Sequence, residues 1–205
     1  MPFSRFSNLS ISKQNEILRA ATEEFGSYGF ESASINRIIE RAGISKGSMY
    51  YYFADKDDVY RTVLDVWFEE MFQKIQLSSQ PKSPGQYWNE WQALFRRAFR
   101  FFMQKPVAAA LLWQSIRSRA SGTAHPHLAS IADQMRDWVG ELLGIGREIG
   151  AVRTDLPEGL LLETAFSMLE GFDRWLADRW SSSFEHSIEA IAADLTDLLR
   201  RIALP

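Results

Sequence analysis

Apolar residues recur at the spacing of an α-helix along almost the whole of this 205-residue chain. Between Asp55 and Ser78 they follow an i, i+3, i+4, i+7 pattern without a break, which is typical of a long helix with one buried face. No segment shows the sustained alternation of apolar and polar residues, bounded by hairpin turns, that predicts a half-buried strand. The pattern therefore predicts an all-α protein of about nine helices.

Loop-forming residues divide the chain into these helices. The stretch Ser78–Gly85, which is rich in Ser and Pro, predicts the clearest loop. Gly26 and Gly29 predict the end of the first helix, because glycine is a poor helix former and favours helix ends. A run of three serines, Ser181–Ser183, predicts a break between the last two helices.

The composition limits the kinds of site that this chain can contain. It has no cysteine, which excludes a disulfide framework, a thiolate zinc site and a cysteine nucleophile, and which is compatible with a reducing cytosol. The longest apolar run, Val107–Trp113, is too short to cross a bilayer, and Met1–Ser10 lacks the apolar core of a signal peptide. We therefore expect a cytoplasmic protein without a membrane segment, a cofactor or a metal.

The first quarter of the chain has the pattern of a helix-turn-helix. A helix capped by Ser34 ends at Gly43, and Ser45 caps a short helix that follows directly. The glycine permits the left-handed turn between the two helices. Met49 and Phe53 lie four residues apart on the short helix, and we expect both to point into the core.

The remaining side chains of that short helix suit contact with a nucleic acid duplex. Lys46, Ser48, Tyr50 and Tyr51 are left to face outward, where they offer a cation, a hydroxyl and phenols to phosphates and base edges. The charge of the region agrees with this interpretation. The segment Ser34–Lys56 has four basic and two acidic residues, whereas the whole chain carries a net charge of −3.

Three segments of this region carry a family resemblance. They are FGSYG at 25–29, SINRIIERAG at 34–43 and, above all, ISKGSMYYYFADKDDVY at 44–60. With these segments the chain resembles the TetR family of bacterial transcriptional regulators, in which such a pattern forms the recognition helix and the start of a long fourth helix. Met49 occupies a position at which the family more often has Leu.

The resemblance implies two kinds of DNA contact. Residues at the start of the recognition helix approach base edges, and its tyrosines, together with Lys56 and Ser34, bond phosphates. The predicted DNA-binding residues are Ser34, Ser45, Lys46, Gly47, Ser48, Tyr50, Tyr51, Tyr52 and Lys56. A short tyrosine-rich helix can also simply pack, and for Tyr51 both interpretations stay open. Arg37 and Arg41 are typical of solvated charges on a helix surface.

A domain boundary follows from this arrangement. Residues 1–55 are predicted to form the helix-turn-helix domain, and residues 56–205 a larger helical domain for effector binding and dimerisation. The helix predicted at 55–78 connects the two.

Bulky aromatic residues mark the larger domain, which contains every tryptophan. On the helix predicted from Gln86 to Gln104, apolar side chains span about half of the circumference, so we expect other helices to enclose it. A gap lined by Trp and Phe suits an apolar or aromatic ligand, although a bulky core without a cavity would have the same composition. The family resemblance implies a small-molecule effector here and favours a pocket. The candidate ligand-binding residues are Trp67, Trp91, Phe95, Phe99, Trp113, Arg117, Trp138 and Phe166.

Two histidines, His125 and His127, flank Pro126 at a predicted turn. Two histidines without further ligands do not make a metal site. We therefore place both at the surface and predict no metal.

The last two predicted helices carry broad apolar stripes that suit dimerisation. An antiparallel helix pair that meets its symmetry mate forms a four-helix bundle. Packing within one chain would give the same pattern, but a helix-turn-helix favours a dimer, because two recognition helices together read a palindrome. The predicted interface residues are Leu161, Ala165, Met168, Phe172, Trp175, Ile191, Leu195, Leu198 and Ile202.

The leading hypothesis is a homodimeric, ligand-responsive transcriptional regulator. It is most simply a repressor that a small apolar or aromatic effector releases from a palindromic DNA operator. One alternative is an all-helical small-molecule-binding protein or enzyme, against which the chain lacks an HExxH motif, a phosphate-binding glycine loop after a strand and a nucleophile elbow. A second alternative is a helical module whose N-terminal domain binds another protein.

Overall fold

The computed structural model describes residues 4–179 and 188–205, and within these ranges the protein consists of ten α-helices without a strand. The helices are α1 (Ser4–Ser7), α2 (Ile11–Ser32), α3 (Ile35–Ala42), α4 (Lys46–Tyr52), α5 (Lys56–Lys74), α6 (Pro84–Gln104), α7 (Pro106–Ala120), α8 (His127–Glu148), α9 (Glu158–Ala177) and α10 (Ile188–Ala203). This confirms the all-α fold; the sequence pattern missed only the short α1. The break predicted at Ser181–Ser183 lies outside the described residues. In the described ranges, no helix is both long enough and apolar enough to cross a membrane.

Polar side chains begin four of these helices, and the sequence predicted two of the caps, Ser34 and Ser45. The hydroxyls of Ser10, Ser34 and Ser45 each accept a hydrogen bond from the backbone N–H three residues later. At the start of α5, the Asp55 carboxylate accepts the backbone N–H of Asp58 at 2.8 Å, and the Asp58 carboxylate accepts the backbone N–H of Ala54 at 3.1 Å. These caps fix where α2, α3, α4 and α5 begin.

Of the two glycines that predicted the end of this helix, Gly29 is the one at which the α2 helix breaks, and the helix continues through Gly26. The backbone leaves helical geometry at Gly29, where φ is +69°. Gly26 lies against α7 instead. A Cβ atom at Gly26 would lie 3.3 Å from the Cβ of Ala110 and 3.3 Å from the backbone nitrogen of Leu111. The missing side chain therefore permits a close approach of two helices.

The described residues form two compact units. Unit 1 comprises the residues up to Glu70 together with Lys105–His127, and unit 2 comprises Met71–Gln104 together with the residues from Leu128 onward. This division differs from the boundary expected after residue 55, because α7 packs along α2 and so joins the N-terminal helices. The division of functions between 1–55 and 56–205 stays a prediction.

The core of unit 1 is built from α2, α3, α4, α5 and α7. Its largest fully buried side chains are Ile17, Phe25, Ile38, Met49, Phe53, Leu64 and Leu111. Burying one such side chain contributes about 1.5–3 kcal/mol. The inward orientation predicted for Met49 and Phe53 is confirmed, and it holds the short α4 helix against the rest of the unit.

The core of unit 2 surrounds α6, as its wide apolar arc predicted. The buried side chains of this helix are Tyr87, Trp88, Trp91, Leu94, Phe99, Phe101 and Phe102. Tyr87 donates its hydroxyl proton to the carbonyl oxygen of Leu142 on α8 at 3.1 Å, and burial raises the pKa of Tyr87. α10 packs along the same helix, where Arg96 and Arg100 both pair with Glu189.

Candidate nucleic-acid interface

The turn that joins α3 to α4 has a fixed geometry. Gly43 has a φ of +58°, which glycine adopts without strain. Its N–H donates to the carbonyl oxygen of Glu40, and the N–H of Ile44 donates to that of Ile39, both at 3.2 Å. Lys13 on α2 adds a hydrogen bond from Nζ to the carbonyl oxygen of Ala42 at 3.0 Å. The direction of α4 therefore depends on α2 as well as on α3.

The outer face of α4 is open to solvent. Lys46 and Gly47 are exposed, and 49% and 51% of the side chains of Tyr50 and Tyr51 are accessible. Ser48 is half-buried. One side of the helix thus presents an ammonium group and two phenols together, as contact with a phosphate backbone requires.

Several of the predicted DNA-binding side chains contact their own chain, among them Ser45, Ser48 and Tyr52. The Ser45 hydroxyl accepts the N–H of Ser48 at 2.9 Å and shares a second hydrogen bond with the Ser48 hydroxyl at 2.9 Å. Tyr52 is half-buried against Phe6, with ring centroids 6.4 Å apart. Ser45 and Tyr52 therefore have structural roles, and their contacts with DNA stay predictions.

Lys56 lies at the start of α5, beside the end of α2. Its Nζ donates to the carbonyl oxygen of Glu31 at 3.1 Å and lies 4.7 Å from the centroid of the Phe30 ring. An ammonium group has three N–H donors, so this anchoring leaves donors for a phosphate.

A fully buried carboxylate, Glu24 of α2, lies beneath the start of α3. It accepts the backbone N–H of Ser34 at 2.9 Å and the Nε–H of Arg37 at 2.7 Å, and Nη1 of Arg41 lies 3.7 Å from its second oxygen. Arg37 also stacks on the ring of Tyr28, 4.4 Å from the centroid. The prediction that Arg37 and Arg41 are solvated charges is therefore incomplete, because both compensate a carboxylate that water does not reach.

Opposing effects act on the pKa of Glu24. Burial raises this pKa, but the hydrogen bonds from Arg37 and Ser34 and the charges of Arg37 and Arg41 lower it by more. The pKa lies below its ordinary value, so the carboxylate stays ionised at neutral pH. The sequence offered no signal for this cluster, since Glu24 lies on a different helix from its partners.

The prediction that both histidines lie at the surface is wrong for His125. Only 9% of its side chain is exposed, and its Nε2 lies 2.5 Å from a carboxylate oxygen of Asp57. Its Nδ1 accepts the backbone N–H of His127 at 3.2 Å, and its ring contacts those of Phe30 and Tyr60. Nδ1 is thus an acceptor, so the ring proton sits on Nε2 and is donated to Asp57. The described residues contain no group of three side chains suited to a metal.

A cleft with a volume of about 430 Å³ adjoins this histidine in unit 1. It is lined by Phe30, Glu31, Asp57, Arg61 and the residues at 123–127. None of the candidate ligand-binding residues lines it.

Comparisons with known proteins agree with this geometry. Residues 17–63 match the family model described as bacterial regulatory proteins, tetR family. The chain belongs to the TetR family. It is 29% identical over 162 residues to the uncharacterised HTH-type transcriptional regulator YhgD of Bacillus subtilis, an alignment that covers 79% of this chain and 81% of the relative.

Two further comparisons extend over most of this TetR-family chain. The HTH-type transcriptional repressor KstR2 of Rhodococcus jostii is 23% identical over 82% of this chain and 79% of the relative. The structure of the fatty acid degradation regulator FadR from Bacillus halodurans has a TM-score of 0.73 at 18% identity, covering 94% of this chain and 97% of that one. The regulator hypothesis is thereby confirmed at the level of the family: the protein is a TetR-family transcriptional regulator.

The residues predicted to bind an effector fall into both units of this TetR-family protein. Trp67, Trp113 and Arg117 belong to unit 1, where the Trp67 indole donates to the Thr22 hydroxyl at 2.8 Å and Arg117 is exposed. The other five belong to unit 2. Among them, Trp91 lies within contact of Phe95 and Trp138, with ring centroids 5.5 and 6.3 Å apart. The structure therefore brings these three together, and the role of the full set stays a prediction.

The predicted dimer residues divide by burial. Leu161, Ala165 and Leu195 are buried within the chain itself, so they belong to the core of unit 2 and are not available to a second copy. The apolar pattern could not separate core residues from exposed ones, because each of these helices carries both kinds within one broad apolar stripe. Met168, Phe172, Ile191 and Ile202 are half-buried. Trp175 and Leu198 are 43% and 50% exposed, and so is Leu160, at 54%, which the sequence pattern did not single out.

Proposed function

We propose that this TetR-family regulator is a cytoplasmic homodimer that represses transcription from a palindromic operator, and that a small apolar or aromatic effector releases it. The observation that carries the proposal is the solvent-open face of α4. Lys46, Tyr50 and Tyr51 face outward together on a helix whose opposite side is held by buried Met49 and Phe53. A helix of this kind, capped at its start and fixed from below, suits insertion into a major groove.

The exposed apolar side chains of α9 and α10 support the dimer. Leu160, Trp175 and Leu198 are large and lie at the surface of a single chain. Exposed apolar groups with half-buried neighbours favour a protein–protein contact. A symmetric dimer would place two α4 helices for successive major grooves, and simultaneous binding of both raises the affinity for DNA.

The aromatic cluster of unit 2 supports an effector site. Trp88, Trp91, Phe95 and Trp138 lie on α6 and α8, with Phe72 in edge contact with Trp138 at 6.3 Å. Within the described residues, the buried indole nitrogens of Trp88 and Trp91 have no hydrogen-bond partner. Flat apolar walls with such donors suit an aromatic ligand that carries an acceptor atom. The name of the relative KstR2, a transcriptional repressor, agrees with repression as the proposed function.

Salt-dependent binding to a mixed-sequence DNA duplex tests the DNA-binding face. We expect Lys46→Ala and Tyr50→Phe to weaken binding, because the first removes a charge and the second a phenol hydroxyl that bonds phosphate. Lys82→Ala is the matched control, since it removes an exposed charge from unit 2. Wild-type affinity in both α4 variants would contradict the proposal and favour the protein-binding alternative.

Titration with a panel of small aromatic carboxylates tests the effector site. A bound compound should quench tryptophan fluorescence and raise the melting temperature, and both effects should be lost in Trp138→Leu but kept in Trp175→Leu. Coupling between sites of this kind typically changes affinity about 5- to 150-fold, so the same compound should weaken duplex binding. A compound that binds the protein without changing its affinity for the duplex would be excluded as an inducer.

A further inference from the structure

The first described residues form a helical turn, α1, that docks on the recognition helix α4. Phe6 is buried, and its ring centroid lies 4.9 Å from that of Phe53 and 6.4 Å from that of Tyr52. The Nε2 of Gln14 on α2 donates to the carbonyl oxygen of Leu9 at 2.8 Å, which closes the connection between α1 and α2. Contacts with α4 and with α2 therefore hold α1 in place.

This docking places an arginine beside the outer face of α4. The guanidinium carbon of Arg5 lies 4.5 Å from the centroid of the Tyr51 ring, and both residues are exposed. A guanidinium above an aromatic face is held by a cation–π interaction, while the N–H groups at its edge remain able to donate. Arg5 thus adds a cation to the face that presents Lys46 and Tyr50.

The distribution of charge makes this cation significant. Of the basic residues near α4, Arg37 and Arg41 are paired with buried Glu24, and Lys56 is anchored to the carbonyl oxygen of Glu31. α4 itself carries one basic residue, Lys46. The surplus of positive charge that the sequence shows around α4 is therefore partly compensated within the chain. Arg5, which lies outside the segment that matches the family model, adds to the positive charge that remains.

We propose that Arg5 binds a backbone phosphate of DNA and that Tyr51 positions it. The inference rests on the proposed DNA-binding face of α4, and it assigns to Tyr51 the role that the sequence left open. Guanidinium groups bind phosphate with two parallel N–H donors when their plane is fixed. Stacking on Tyr51 fixes that plane, and burial of Phe6 fixes the position of the backbone.

The salt dependence of binding to a mixed-sequence duplex tests the phosphate contact. Each phosphate contact contributes about 0.9 to the slope of log K against log salt concentration. We expect Arg5→Ala to flatten this slope by about 0.9 for each protomer bound. Lys82→Ala, the matched change of charge in unit 2, should keep the wild-type slope. An Arg5→Ala slope equal to that of the wild type would overturn the inference, whereas a wild-type protein without salt-dependent binding would overturn the proposed function itself.

Variants of Tyr51 test the positioning role. Tyr51→Phe keeps the ring and should keep the wild-type slope, while Tyr51→Leu should flatten it as much as Arg5→Ala does. Because both changes act on one contact, the double variant should lose no more than either single variant. Equal losses in Tyr51→Phe and Tyr51→Leu would show that the hydroxyl matters and would overturn the positioning role. Melting temperatures identify any variant that loses binding through unfolding, and Arg5→Gln, which removes the charge but keeps a long polar side chain, then replaces Arg5→Ala.

Discussion

Glu24 illustrates how a single buried charge organises the residues around it. A carboxylate without access to water is costly unless cations and N–H donors surround it. Arg37, Arg41 and the N–H of Ser34 supply those partners, so the Glu24 side chain connects α2 to the first turn of α3. Because Ser34 is also the cap of α3, one carboxylate fixes the place where the helix-turn-helix begins.

We expect Glu24→Gln to lower the free energy of unfolding by about 1–2 kcal/mol, because an amide cannot replace two charge-assisted hydrogen bonds. The partly exposed arginines can regain water, which keeps the loss below that of a fully buried pair. Chemical denaturation measures the change. Glu23→Gln is the matched control, since Glu23 makes only an exposed pair with Arg19, and a change there of similar size would contradict the prediction.

The same carboxylate predicts a pH dependence of stability. The pKa of Glu24 is lower in the folded protein than in the unfolded chain, so its contribution is fully present above the unfolded pKa. That contribution is lost as the pH falls through the folded pKa, because the proton binds the unfolded chain more tightly. Denaturation at a series of pH values should therefore show the wild type and Glu24→Gln converging on acidification. A constant difference down to the most acidic pH would contradict this account.

Among the helices, the contact of α2 with α7 decides how unit 1 is built. α7 follows residue 104 in the chain, yet it packs against α2 at Gly26, where a side chain would meet the backbone of Leu111. Local rules predicted the caps at Ser34 and Ser45 correctly, since capping involves only neighbouring residues. They did not separate the roles of Gly29 and Gly26, because a glycine that ends a helix and a glycine that admits another helix look alike in sequence.

Paired substitutions of glycine by alanine test that contact. Helix propensity alone predicts a gain of about 1 kcal/mol in unfolding free energy at any mid-helix glycine. We expect Gly144→Ala in α8 to show it, since a Cβ there meets no atom within 4 Å, and Gly26→Ala to lose it to the crowding at Ala110 and Leu111. Thermal or chemical denaturation provides the comparison. Equal gains at the two positions would mean that α2 and α7 have room for the methyl group.

At the scale of the whole molecule, a single chain leaves a group of large apolar side chains exposed to solvent. The stripes of α9 and α10 provided both the buried core of unit 2, at Leu161 and Leu195, and the exposed group of Leu160, Trp175 and Leu198. The proposed function requires a second copy of the chain to cover this surface, because a palindrome is read by two identical recognition helices.

We therefore expect Leu198→Arg to shift the protein toward a monomer in analytical ultracentrifugation and to weaken duplex binding, because charge is poorly tolerated at the centre of an interface. Gln134→Arg, a change on an exposed position of α8, is the control and should leave the mass unchanged. A Leu198→Arg protein with the wild-type mass would move the interface away from this surface.

The sequence by itself determined the helices, most of their starting points and the recognition helix, because periodicity, capping and the Ile44–Tyr60 pattern are local properties of the chain. The tertiary structure alone decided which charges are paired, which apolar residues are core, and where distant segments meet. Glu24 neutralises arginines on the next helix, His125 binds Asp57 across 68 residues, and Arg5 stacks on Tyr51. Each of these depends on a contact between elements, and burial and electrostatics at such contacts follow from three-dimensional packing and not from spacing along the chain.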